Sequence, residues 1–208
     1  MEVLRVPNRV VDISEPILAE DSTFSELALS LKAILEQLDE KATHHDYFVA
    51  LLLVLLAESG FRVSSKSDIP EQQQNKRLVH IPSSWKQRET GVYEIDLVLD
   101  DLDHIQSKLI AIPYGDVLIF NAFAYIEPKV VYSMAVHSFK YVNPYTHNVY
   151  MRYMNLKEIS HNFKDTMVTP LRTDILLTSG RTGPSFQCLP RELHNKIANM
   201  RRLLECQN

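Results

Sequence analysis

The chain has 208 residues, 45% of them hydrophobic, with 22 Lys+Arg against 26 Asp+Glu, 5 Gly, 10 Pro and 2 Cys. That length suits one large domain, or one domain plus a fragment, and an apolar fraction near the soluble average excludes disorder along the whole chain. A net charge of −4 is too mild to mark nucleic acid or an anionic membrane as the main partner, and so few glycines disfavour folds built on glycine-rich phosphate loops.

Residues 1–20 hold no sustained period and are interrupted by Pro7 and Pro16, so a loose arm is expected there. Thr23-Phe24-Ser25-Glu26 matches a capping box, and Phe24, Leu27, Ala28, Leu31, Ile34, Leu35 and Leu38 follow at helical spacing. The pattern predicts an amphipathic helix from 23 to about Glu40. Thr43 can cap a second helix through Ala57, stopped by Gly60. Its centre, Val49 to Leu56, is apolar all round and must be covered on every side. The polar, Ser/Gln-rich stretch 64–77 reads as a surface loop.

The period then changes. Tyr93, Ile95, Leu97 and Leu99 alternate with more polar neighbours, which predicts a strand with one face in the core. A polar turn over 100–107, a strand over 108–112, a turn at Pro113-Tyr114-Gly115-Asp116, a strand over 117–126 and a further one over 130–141 complete the run. Strands joined by short turns form an antiparallel meander. Asn155 with Glu158 predicts the start of a long helix with the stripe Leu156, Ile159, Phe163, Met167, Leu171 and Ile175, kinked at Pro170. Gly180 to Pro184 ends it, and a last helix starts at Pro190. The expected fold class is α+β: an antiparallel β-meander packed against helices, with N-terminal helices and a long C-terminal helix.

The front, residues 1–60, holds 4 Lys+Arg and 11 Asp+Glu, whereas residues 181–208 hold 5 and 2; both read as solvated surface. The N-terminus has no signal-peptide h-region, and the eleven apolar-rich residues Tyr47–Ala57 are too few to span a bilayer. Two cysteines, Cys188 and Cys206, do not make a disulfide scaffold or a zinc site, which points to a reduced intracellular compartment. No phosphate-loop, nucleophile-elbow or zinc-protease motif occurs, so no catalytic residue, metal or cofactor is expected. His44-His45-Asp46 reads as first-turn helix surface, since adjacent helical residues diverge by about 100°. Asp100, Asp101 and Asp103 read as a solvated hairpin, Arg181 between Gly180 and Gly183 as a helix-ending loop, and Tyr141, Tyr145, Tyr150 and Tyr153 near Arg152 as aromatic packing. A small hydrolase using His137 or His147 is the remaining enzymatic alternative, without a supporting motif.

Segment 117–126 is the oddest, because both of its faces are largely apolar. Either a second layer of the same chain covers the outer one or a protein partner does, since an exposed apolar face or strand edge is a liability.

Several short motifs, in order, match a known family. Glu58-Ser59-Gly60-Phe61, Ile81-Pro82-Ser83-Ser84-Trp85-Lys86 and Gly91-Val92-Tyr93 resemble the opening of the FP domain shared by a proteasome-binding F-box protein and a proteasome inhibitor. Ile112 to Asn121 resembles its central turn and strand, and Phe163-Lys164-Asp165 with Val168 and Pro170-Leu171 its long helix. Leu189, Pro190, Arg191, Glu192 and Leu193 with Ile197 resemble the start of an F-box. The implied layout is an arm over 1–20, an FP-type domain over 21–180, and a linker with the start of an F-box over 181–208.

The resemblance further implies a non-catalytic module that homodimerises or pairs with an FP-domain proteasome inhibitor. It implies an SCF ubiquitin ligase setting, with a Skp adaptor and cullin reached through a complete F-box. No nucleic acid or membrane partner is implied, and the expected location is cytoplasmic, with the nucleus as a second site. Carried over, the contact strand is Val117, Leu118, Ile119, Phe120 and Asn121, with Leu118 and Phe120 on one face and Ile119 on the other. A proteasome-inhibitor-type regulator without ligase function is the alternative.

Overall fold

Thr43 opens the central helix as read. Its hydroxyl accepts from the Asp46 N–H, and the Asp46 carboxylate accepts from the Thr43 N–H at 2.7 Å, a reciprocal cap. The computed structural model describes residues 17–39, 41–64 and 79–181, with Leu193 and Ile197 beyond them. Helix α2, His44–Glu58, ends at Gly60, whose φ of +87° suits glycine. Every residue from Phe48 to Leu56 is buried, as an all-apolar helix requires.

The sheet is a five-stranded antiparallel meander, β1 (Phe61–Val63), β2 (Tyr93–Leu99), β3 (Leu102–Tyr114), β4 (Val117–Ala124) and β5 (Tyr132–His137), in that spatial order. Strand β3 begins at Leu102 rather than 108. The chain turns on Asp100-Asp101 alone, with Asp101 at φ +64°, and Ile105 and Ser107 are buried, so the polar letters of 103–106 belong to a strand face and not to a turn. Strand β5 is shorter than the 130–141 expected, since Ser138–Lys140 winds into a 3-10 turn.

Helix α2 and the C-terminal helix cover one face of the sheet. Phe48 meets Phe120 with ring centroids 5.8 Å apart, and α4 packs on β4. The C-terminal helix runs unbroken as α3 (Leu156–Phe163), a π-helical turn (Lys164–Val168) and α4 (Thr169–Thr178). Ile159, Phe163, Met167, Leu171 and Ile175 are all buried. Their four-residue spacing drifts about 40° per step in an ideal α-helix, and the wider π turn takes up most of that drift. The same turn relieves the clash of the Pro170 ring with the carbonyl four residues back. At the end, Arg181 N–H donates to Leu176 O and Gly180 N–H to Leu177 O, a Schellman closure with Gly180 at φ +74°.

Two expectations need correction. The helix read over 23–40 is only α1, Leu29–Leu35. Thr23 Oγ1 does accept from the Glu26 N–H, but it is the Glu26 carbonyl, not its side chain, that accepts from Thr23 N–H, so the capping letters close a turn. Phe24 is left 76% exposed, while Leu27, Ala28, Leu31 and Ile34 are buried. At the other helix, Asn155 makes no cap bond; it sits at φ +51° and its amide donates to Lys140 O. The loop residues 65–78, the cysteines, and the motif residues Leu189, Pro190 and Glu192 lie outside the described residues; Leu193 and Ile197 are helical and half-buried.

Candidate protein interface

The two-residue turn at Gly115-Asp116, with Gly115 at φ +59°, fixes the pairing of β3 with β4. Ile112 then lies opposite Ile119, Tyr114 opposite Val117 and Ile110 opposite Asn121. On the other side of β4, Val117 faces His137, Ile119 faces Ala135 and Asn121 faces Ser133. Alternation along β4 sends Leu118, Phe120, Ala122 and Ala124 into the core, fully covered. Val117, Ile119 and Asn121 stand on the opposite face.

That outer face is apolar at its centre. Ile112 is 40% and Ile119 37% exposed, Tyr114 is exposed at the turn end of the same face, and Tyr125 is exposed just beyond the other end of β4. Phe123, in the same row, escapes solvent because the Lys129 ammonium lies 3.8 Å from its ring centroid and Tyr125 packs edge-on at 5.4 Å. Lys108, Glu94 and Asp96 form a charged group on this side of the sheet. Lys108 bridges Glu94 at 3.0 Å and Asp96 at 3.6 Å, and the hydrogen bond to Glu94, helped by Asp96 and opposed by burial, raises its pKa.

The five residues of the sequence-derived contact strand therefore split. Leu118 and Phe120 are core, while Ile119, Val117 and Asn121 face outward. The strand edge is not available either, since β4 is paired on both sides. Sequence reasoning missed Ile112, Tyr114 and Ala135 on this face, although the two-residue turn at Gly115-Asp116 would have paired Ile112 with Ile119.

Other polar groups serve the fold. His45 and Asp46 are buried, contrary to their reading as helix surface. The reason is that the start of α2 is roofed by Lys86, Tyr93 and the β3–β4 turn. Lys86 Nζ and the Tyr93 hydroxyl each donate to Asp46 at 2.8 Å, and His45 Nε2 lies 2.8 Å from Gly115 O. Burial works to raise the Asp46 pKa, but bonds from Lys86, Thr43 and Tyr93 hold it below the usual carboxylate value. Burial, reinforced by Asp46, pushes the Tyr93 hydroxyl up.

A second network joins Glu58, Glu20 and Lys164, with Lys164 Nζ at 3.1 Å and 3.3 Å from the two carboxylates. Ala19 N–H donates to Glu58 and Ser160 to Glu20, which ties the segment entering the domain to the C-terminal helix. Burial raises the Glu58 pKa against the pull of Lys164.

The tyrosines divide as packing groups. Tyr141 and Tyr153 are buried, Tyr153 donating to Tyr47 O at 2.9 Å, and Arg152 is held by Asn143 O and Pro144 O over the Tyr47 ring. Arg62 pairs with Asp100 at 2.9 Å and with Asp103, as the hairpin reading expects. His137 sits on β5 opposite Val117, and His147 in the exposed loop 145–150. A cavity of about 620 Å³ between Gln37, Asp39, Lys41, His80, Trp85 and Lys86 borders the Asp46 network. Among the described residues no group of three or more His, Cys, Asp or Glu could hold a metal, and no helix is long and apolar enough to cross a membrane.

Fold and face together define an α+β module with an antiparallel meander, helices on one face and, among the described residues, exposed apolar side chains on the other. The chain is 26% identical over 162 residues to F-box only protein 7 of Homo sapiens, and 28% identical over 163 residues to F-box only protein 7 of Bos taurus. Each match takes in 76% of this chain but 29% of the relative, so the chain spans under a third of the length of the curated relatives it matches. No family model matches the chain. The similarity agrees with the F-box/FP-type resemblance of the motifs at the level of the family and selects no particular member.

Proposed function

We propose that this chain is a non-catalytic interaction module of an F-box substrate-recognition subunit of an SCF ubiquitin ligase, which homodimerises and pairs with a proteasome-inhibitor-type FP partner. The observation that carries the binding part is the outer sheet face: Ile112 and Ile119 directly opposed, half-open to solvent, with Tyr114 and Val117 beside them. Contiguous apolar surface of this kind marks an interaction site. Burying it is favourable by about 25 cal/mol per Å², less the cost of association, and a standard interface needs about 800 Å² per partner.

The ligase part is supported by the names of the relatives and by the F-box-like residues Leu189 to Ile197. A Skp adaptor and a cullin would be reached through a complete F-box. Within the family, the motif order resembles the insect F-box protein Nutcracker. A cytoplasmic setting, with the nucleus as a second, fits this reading.

Ile119→Glu tests the face. It should reduce the sedimenting mass to that of one chain with an unchanged circular dichroism spectrum, because Ile119 points away from the core. An unchanged dimer mass would reject the face. Phe120→Glu, by contrast, places a charge in the core and should unfold the domain, so it does not report on the interface.

A further inference from the structure

Among the described residues, the cavity of about 620 Å³ lies between two walls. Gln37, Leu38, Lys41 and Ala42, from the connection between α1 and α2, form one, and the stretch His80–Lys86 forms the other. The walls are fastened together at both ends. At one end the Gln37 side-chain amide donates to Val79 O at 2.9 Å and accepts from Ile81 N–H at 3.0 Å. At the other, Lys86 Nζ donates to Asp46 at 2.8 Å, and Glu94 N–H donates to Trp85 O at 2.9 Å, which ties this wall to β2. The space is therefore preformed, and its volume falls within the range of about 300–1,000 Å³ common to ligand sites.

The unused hydrogen-bonding groups on the walls are mostly donors. Asp46 is saturated, with Thr43 N–H and hydroxyl on Oδ2 and with Lys86 and Tyr93 on Oδ1. Lys86 spends one of its three ammonium protons there. The side chains of Lys41 and His80 have no partner among the described residues. Asp39 turns Oδ1 to the Lys41 N–H at 2.9 Å, which leaves its second oxygen. Spare ammonium protons thus outnumber spare carboxylate oxygens, and the group that matches them is an anion. The surface beside them is apolar: Ile81, Pro82 and the indole of Trp85, half-buried and edge-on to Tyr93 at 5.2 Å.

We propose that this cavity is a docking site for an acidic peptide segment, whose Asp or Glu carboxylate meets the Lys41 and Lys86 ammonium groups while the neighbouring apolar side chain lies on Trp85. The site shares no residue with the outer sheet face and does not rest on the self-association proposed above.

Trp85 is the single tryptophan of the chain, so its fluorescence reports the cavity directly. Titrating the 208-residue chain with acetyl-Glu-Leu-Glu-amide should give a saturable change that weakens as salt is raised. Acetyl-Gln-Leu-Gln-amide, alike in size and apolar body, should give none over the same range. Lys41→Gln should weaken binding of the glutamate peptide about fivefold, the upper end for an exposed ion pair, with circular dichroism unchanged. Should that variant misfold, the two peptides on the unmodified chain decide alone. Equal responses to both peptides, a stronger response to acetyl-Lys-Leu-Lys-amide, or an equal response to inorganic phosphate would overturn the proposal, and so would a Trp85 signal that none of them moves. The sedimenting mass should be the same with and without the glutamate peptide, so failure here leaves the sheet face untouched.

Discussion

Asp46 accepts from the Thr43 backbone and hydroxyl, from Lys86 and from Tyr93, and so locks the first turn of α2 to β2 and the segment before it. Its pKa is lowered on folding, so its contribution is present above the unfolded value of about 3.9 and is lost as pH falls through the folded value. Asp46→Asn should cost about 3 kcal/mol at neutral pH, as breaking a buried pair does, and should flatten the acid limb of stability measured by urea unfolding. Glu58 has the opposite sign. Raised by burial, it contributes fully below about pH 4.3 and less as pH rises through its folded value, so Glu58→Gln should make the acid limb steeper. A limb unchanged in both variants would contradict these assignments. Neither role was legible in sequence, where Asp46 looked like a dipole-complementing surface group; only the long-range approach of Lys86 and Tyr93 makes it a buried hub.

At the scale of elements, strands β2 to β5 and the two long helices were legible in kind because period and burial agree in them, whereas the three-residue β1 was not read. Alternation from Tyr93 to Leu99 and the all-apolar centre of α2 each have one structural solution. The N-terminal helix was overread because Phe24 and Leu27 share a helical spacing with Leu31 and Ile34, whereas Thr23, Ser25 and Glu26 spend their polar groups on a local turn. The difference is measurable. Leu31→Ala, fully buried in α1, should cost about 2–5 kcal/mol in thermal or urea unfolding, while Phe24→Ser should change stability by no more than about 0.5 kcal/mol. Equal losses would mean that Phe24 belongs to a continuous helix. The π turn before Pro170 was half legible: the proline announced a disturbance, but not that the row from Ile159 to Ile175 would stay on one face through it.

Across the described residues, one sheet face is covered by α2 and the C-terminal helix and the other exposes Ile112 and Ile119 at its centre. The doubled hydrophobicity of 117–124 marked that surplus in the sequence, since a strand with a single core face has no need of Ile119. Which side was the surplus depended on the helices, and the structure assigns it to the face carrying Ile112, Ile119 and Ala135. Sedimentation equilibrium of the unmodified chain over a concentration series, alone and with a proteasome-inhibitor-type FP domain added, tests the resulting account most directly. It should yield twice the chain mass alone and a mixed species with the partner; one chain mass at every concentration and in every mixture would contradict it.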